Sequence, residues 1–227
     1  MLKPKTLLVV AKQPVPGNTK TRLCPALSHT QAADLYECFL RDTLDVMRTV
    51  PSVQRRIAFL PEDARNYFCQ LAPDMELTCQ RGESLGERLD HLLMEALASG
   101  SERAVVMDSD SPTLPAEFIS QAFEELAAAD VVLGPTRDGG YYLIGMKQPQ
   151  SHLLRQVQMS TSHVLADTLA LAKGSNLAVS LLPTWYDIDT IDDLLQLARE
   201  INGSSDNGSA PATRHWLAQM DWRNSPV

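Results

Sequence analysis

The chain has 227 residues, 44% of them hydrophobic and 21% charged; that balance belongs to a packed globule with a sizeable core and excludes a mostly disordered chain. No apolar run approaches the ~18–20 residues of a membrane-spanning helix, the N-terminus reads as a strand rather than a secretion signal, and a net charge of −8 repels nucleic-acid backbones. Four cysteines, Cys24, Cys38, Cys69 and Cys79, form no C-x-x-C pair, so reduced thiols in a cytoplasmic protein are expected, not a disulfide framework or a zinc site.

Thr6–Ala11 (TLLVVA) is apolar on both faces and reads as a buried parallel strand. Lys12–Cys24, with Pro14, Pro16 and Gly17, is a loop. Ser28, with Gln31 three positions on, predicts a capping box for a helix to about Thr49, whose Ala32, Leu35, Tyr36, Phe39 and Leu40 share one face. Arg56–Leu60 is a second strand, a helix runs from Glu62 to about Leu71, and Glu76–Cys79 is a third strand. Ser84 and Glu87 repeat the capping pattern for a helix over Leu85–Ala98. Arg103–Met107 is a strand that ends at Asp108, and Pro115 opens a helix to about Ala128. Strands follow at Asp130–Leu133 and, after a Gly-Gly turn, Gly140–Met146; short helices are expected over Ser151–Gln158 and Thr161–Lys173. Leu177–Leu182 is the last strand and Thr190–Ile201 a helix, with Asp192 and Asp193 favourable near its N-terminus.

This alternation predicts a single α/β domain over residues 1–201, a mostly parallel sheet flanked by helices. Residues 202–213 (NGSSDNGSAPAT) read as a flexible linker. Residues 214–227 carry a short amphipathic tail (HWLAQMDW), expected to dock on its own core or on a second copy as a homodimer.

Charge is uneven along the chain. The first acid is Asp34, and before it stand Lys3, Lys5, Lys12, Lys20 and Arg22. A basic island on an acidic protein suits a small anion better than a polyanion. Ligands of open α/β sheets bind beyond the carboxyl ends of the strands, and three loops there carry chemistry. In the first, Gly17 can let backbone approach a phosphate that Lys12, Lys20 and Arg22 neutralise; the loop matches neither G-x-x-x-x-G-K-[ST] nor G-x-G-x-x-G. The second is Asp108-Ser109-Asp110, whose alternate carboxylates share one face and could hold a hard cation with diphosphate oxygens. The third, Thr184–Thr190 (TWYDIDT), offers Asp187 and Asp189 as a further carboxylate arm, or as caps for the following helix. Gly82-Glu83-Ser84-Leu85-Gly86 fits the G-x-S-x-G nucleophile elbow, with His152, His163 and His215 as possible bases, but lacks an oxyanion loop; Ser84 as an N-cap accounts for the same residues.

The run AKQPVPGNTKTRL, then GESLGERL, MDSDSP, DVVLGPTRDGGYYLIGM and YDIDTIDDL, over about residues 5–200, resembles the DUF2064 family. That family is similar to nucleotide-diphospho-sugar transferases of the GT-A fold, including small guanylyltransferases. The resemblance implies a Rossmann-like sheet and a divalent metal, Mg²⁺ or Mn²⁺. By the motif matches, Ala11, Lys12, Gly17, Lys20 and Arg22 would form the nucleotide and phosphate loop, with Gln80, Gly86 and Asp108 beside it. Asp110 with Asp187 or Asp189 would hold the metal. Gly139, Gly140 and Tyr141 would line the acceptor side, and Asp138 would serve as the catalytic base or as a turn residue. The proline-rich loop has one glycine where nucleotidyltransferases commonly carry G-x-G, and Met159-Ser160-Thr161 departs from the family's tryptophan. The expectation is therefore a glycosyltransferase acting on a nucleotide-sugar donor and a small acceptor. Nucleotidyl transfer with pyrophosphate release is the alternative, followed by the Ser84 hydrolase and a non-catalytic nucleotide-binding module.

Overall fold

A computed structural model describes residues 4–203 and 209–220. Seven strands form one sheet: β1 (Lys5–Lys12), β2 (Gln54–Leu60), β3 (Glu76–Cys79), β4 (Arg103–Met107), β5 (Val131–Pro135), β6 (Tyr141–Met146) and β7 (Val179–Leu181). Their order is β3-β2-β1-β4-β6-β5-β7. β1 pairs in parallel with β2 and β4, β2 with β3, and β5 with β7; β6 alone runs antiparallel, between β4 and β5. The expected α/β architecture is present.

Alternation along β1 sets the two layers. Leu7, Val9 and Ala11 face α1 (His29–Thr49), α2 (Arg65–Leu71) and α4 (Ala116–Glu125), through Phe39, Phe68 and Phe123. Leu8 faces α3 (Leu85–Ala98), α5 (His152–Arg155) and α6 (Val164–Gly174), through Leu92, Leu153 and Ala172. Both predicted capping boxes form: Ser28 Oγ accepts the Gln31 N–H while Gln31 reaches back to the Ser28 N–H, and Ser84 and Glu87 do the same for α3. α7 (Ile191–Gly203) and α8 (Pro211–Gln219) complete the first layer.

Of the segment 202–213, α7 takes in the first residues, through Gly203, and α8 begins at Pro211. The remainder of that segment, 204–208, and the tail beyond Met220 lie outside the described residues. Leu217 of α8 is buried in the core of its own chain. Asp42 on α1, itself buried, accepts the N–H groups of Ala212 and Thr213 at 2.8 Å each, so a residue 170 positions away caps the positive end of α8. Asp42→Ala orphans both donors and is expected to cost about 1–3 kcal/mol. Faster hydrogen exchange in 211–219, with α1 still protected, is the signature to look for.

All four cysteines are free thiols. Among the described residues no helix is long and apolar enough to cross a membrane.

Candidate functional site

The connection from β1 leads to β2 on one side, while β4 leads away to β5 on the other, so the carboxyl ends of β1 and β4 flank a topological switch point. Three segments converge there. The loop after β1 is tied by Val15 N–H to Thr19 Oγ1 at 3.0 Å and passes through Lys20 in a left-handed conformation, φ 48°. Asp108-Ser109-Asp110 follows β4, anchored by Asp108 N–H to the Tyr142 carbonyl at 2.9 Å. The 185–190 segment is joined to it, because Ile188 N–H donates to the Asp110 carbonyl at 3.0 Å and Trp185 bridges Thr136 beyond β5.

Lys20 is the centre of this arrangement. Its Nζ lies 2.9 Å from Asp110 Oδ1 and 2.9 Å from Asp189 Oδ1, and its side chain is only 7% exposed. Arg22 donates to Asp189 Oδ2 at 3.2 Å. Burial disfavours the charge on Lys20, but Asp110 and Asp189 outweigh that and hold its pKa above the ordinary lysine range. Asp189 answers in kind: burial pushes it up, and Lys20 and Arg22 pull its carboxyl below the usual value. The capping role goes to its neighbour, since Thr190 and Asp193 close the N-terminus of α7 reciprocally.

Asp108 and Asp187 have no ion-pair partner among the described residues. Burial, then Asp110 and Asp187, push the Asp108 pKa well above the usual range. Burial, then Asp189 and Asp138, push Asp187 up to about 6 from 3.8. Folded Asp187 therefore binds its proton more tightly than the unfolded chain does, so stability falls as pH rises through about 4 to 6. Asp187→Asn is expected to remove this fall; unfolding midpoints of both proteins across that window check it.

Around these groups lie two connected lobes. The narrower, of about 420 Å³, is lined by Ala11, Lys12, Lys20, Gln80 and Arg88 and shares Asp108, Asp110 and Asp189 with the other. Gln80 acts there as a brace, its amide donating to the Ala58 carbonyl at 2.8 Å and the Ala11 carbonyl at 3.3 Å. Tyr36 from α1 ties the floor together, accepting the Lys12 N–H at 3.2 Å and bonding Ser109 Oγ at 2.8 Å. The wider lobe, about 630 Å³, adds Arg22, Asp138, Gly140, Tyr141, Met159, Thr161, Ser162 and Asp187, and shares Ser160. Asp138 sits at its rim in the β5–β6 turn, accepting hydrogen bonds from Thr136 Oγ1 and, at 3.1 Å, from Gly140 N–H.

Three expected residues line neither lobe: Gly17, Gly86 and Gly139. Gly17 is exposed at the loop tip. Gly86 and Gly139 are packing seats, where a Cβ would come within 2.1 Å of the Leu154 carbonyl oxygen and 2.0 Å of the Ser162 carbonyl oxygen respectively. Both glycines thus hold the 154–162 segment against the cleft. Arg88 and Tyr36 are cleft residues that the sequence reading passed over; Arg88 lies three positions after Leu85, on the same side of α3's first turn. Ser84 is an N-cap and not a nucleophile: its hydroxyl accepts the Glu87 N–H at 3.1 Å, and His152 and His215 bond to Ser175 and Gln219.

Among the described residues no group of three or more His, Cys, Asp or Glu is placed to hold a metal ion. Asp189 has both oxygens engaged, by Lys20 and Arg22, whereas Asp110 gives only Oδ1 to Lys20. Asp110 and Asp187 both line the wider lobe, and Asp187 meets no cation among the ion pairs of the described residues. Two carboxylates with substrate phosphates and water are the usual donor set of Mg²⁺, so the residues fit an ion shared with a bound phosphate chain.

Known proteins resemble this chain at several levels. Residues 43–161 match the family described as "Uncharacterized protein conserved in bacteria (DUF2064)". The crystal structure of a protein from Desulfovibrio desulfuricans G20, provisionally named a nucleotide-diphospho-sugar transferase, is 33% identical, covers 94% of each chain and superposes with a TM-score of 0.88. A 2-phospho-L-lactate guanylyltransferase of Methanothermobacter thermautotrophicus is 26% identical over 182 residues, 78% of this chain and 77% of that protein. A cytidylyltransferase from Leptospira borgpetersenii shares the fold, with a TM-score of 0.56 at 11% identity over 94% of this chain and 93% of that one.

Proposed function

The chain belongs to the DUF2064 family, and from that premise we propose that it is a nucleotidyltransferase, joining a nucleoside monophosphate from an NTP to a small acceptor and releasing pyrophosphate. The observation that carries this reading is the buried Lys20 ammonium, held by two carboxylates where a cation-lined lobe opens into a wider one. A triphosphate in the narrower lobe meets Lys12, Lys20 and Arg88, which neutralise the leaving pyrophosphate. The acceptor in the wider lobe attacks the α-phosphorus; its O–P bond forms as the bond to pyrophosphate breaks. Asp138, at the rim with its Oδ1 fixed by Thr136 and Gly140, receives the acceptor's proton. A Mg²⁺ or Mn²⁺ ion held by Asp110 and Asp187 would supply charge neutralisation at the phosphates. The guanylyltransferase relative and the shared cytidylyltransferase fold support this reading over the sugar transfer expected from the loop sequence.

Glycosyl transfer is the second reading, favoured by the single-glycine first loop and by the name of the Desulfovibrio relative. Thermal unfolding with each NTP and each nucleotide sugar, with and without Mg²⁺ or Mn²⁺, separates the two. Ligand at a hundredfold excess over Kd stabilises by about 2.7 kcal/mol, which is roughly 5–10 °C for a domain of this size. Stabilisation by an NTP and pyrophosphate as product are expected. Stabilisation by nucleotide sugars alone would reassign the chain to sugar transfer.

A further inference from the structure

The two lobes differ in charge. Lys12, Lys20 and Arg88 line the narrower one. Five carboxylates line the wider one: Asp108, Asp110 and Asp189, which it shares with the narrower lobe and two of which Lys20 pairs, and Asp138 and Asp187, which are its own; its only cation among the described residues is Arg22. That guanidinium is no ready counter-ion, because its side chain is 75% exposed and bonded to Asp189. The rest of the wall is largely apolar, including Leu85, Leu89, Tyr141, Ile144 and Met159. A phosphate or carboxylate placed there meets the neutral hydroxyl residues Thr136, Ser160, Thr161 and Ser162 but, among the described residues, no cation other than Arg22, and lies among like charges in a partly desolvated cleft. A triphosphate next door adds more negative charge, and a divalent ion there is shared with it.

We infer that the wider lobe takes a small hydroxyl compound with an apolar body and no negative charge, neutral or carrying an amine. The inference rests on the reading of the narrower lobe as the triphosphate site. It sets this chain apart from its guanylyltransferase relative, whose named substrate, 2-phospho-L-lactate, bears a phosphate and a carboxylate.

Three probes with one phenyl body and one hydroxyl-bearing chain test the charge rule: 2-phenylethanol (neutral), phenylalaninol (cationic) and 3-phenyllactate (anionic). The reporter is the Met159 methyl group in ¹³C-methyl-methionine protein, assigned with Met159→Leu. Titrations are run on the full chain, alone and with the NTP that stabilises it. Phenylalaninol and 2-phenylethanol are expected to shift Met159 with affinities at least tenfold tighter than phenyllactate. Ser162→Arg, which adds a cation to the lobe's wall, is expected to narrow or reverse that order. Phenyllactate binding as tightly as the other two overturns the inference, and so does a Met159 signal that none of the three moves. Failure of the parent reading is seen separately, as absence of stabilisation by any NTP.

Discussion

Replacing Lys20 with methionine is expected to lower turnover about 10²–10³-fold, the scale of losing one preorganised charge-stabilising group, and to weaken NTP binding in step. Lys20 is the buried cation of the narrower lobe, and methionine keeps most of its length without its charge. With the ammonium gone, Asp110 faces the phosphates without its cation and Asp189 keeps only the exposed Arg22, each carboxylate having lain 2.9 Å from it. The substitution thus removes an attraction and unmasks a repulsion at one point. Unchanged nucleotide affinity in Lys20→Met would remove the basis for placing the triphosphate in that lobe.

The effect on folding is smaller and its sign follows from the two shifts. Asp189 is held below its ordinary pKa, so its share of stability is present above the unfolded value of 3.8 and lost as pH falls through the folded one. Lys20 is held above 10.5, so its share is present below that value and lost as pH rises through the folded one. Wild type therefore gains from the pair across the span between, and Lys20→Met does not. Asp110 and Asp189 are 35% and 38% exposed, so solvent screening limits the difference to about 1 kcal/mol near neutral pH. Unfolding midpoints near pH 3 and pH 7 are expected to converge in acid and separate at neutrality.

Much of the scaffold is legible in the chain because local physics decides it. Apolar runs such as TLLVVA and RAVVM can only be buried strands in an alternating pattern, and the Ser28/Gln31 and Ser84/Glu87 spacings form the boxes they predict. The direction of β6 is not legible, because a six-residue strand reads alike either way. It is fixed by the Thr136–Gly140 turn, closed by Thr136 N–H to the Gly140 carbonyl at 3.1 Å. The Asp carboxylates were found from their position after strands, but which of them meets Lys20 is a tertiary fact. Lys20 and Asp189 are 169 positions apart, brought together as Ile188 hydrogen-bonds to Asp110 and Trp185 bridges Thr136. The motif glycines mislead for a related reason: glycine marks close approach without saying whether a ligand or another backbone approaches, and at Gly86 and Gly139 it is backbone.

Gly139→Ala puts that distinction to the test and carries the second large effect. Gly139 has φ 92°, where an L side chain is strained, and its added Cβ would lie 2.0 Å from the Ser162 oxygen. Strain of about 1–3 kcal/mol adds to an overpacking cost of about 1–3 kcal/mol, which together lower the unfolding midpoint by roughly 4–24 °C. The clash is with backbone, so it is relieved only by moving the 159–164 segment, which also accepts no rearrangement freely: Leu165 N–H donates to the Gly139 carbonyl at 3.0 Å. Met159 through Ser162 line the wider lobe, and of these four only Ser160 also reaches the narrower one. The substitution is therefore expected to raise the acceptor KM by tenfold or more while leaving the NTP Kd within about twofold. A Gly139 that met only a ligand would behave otherwise, losing acceptor binding with just the smaller fall in midpoint that the positive φ itself brings. Calorimetry and a two-substrate kinetic matrix on the same variant decide between them.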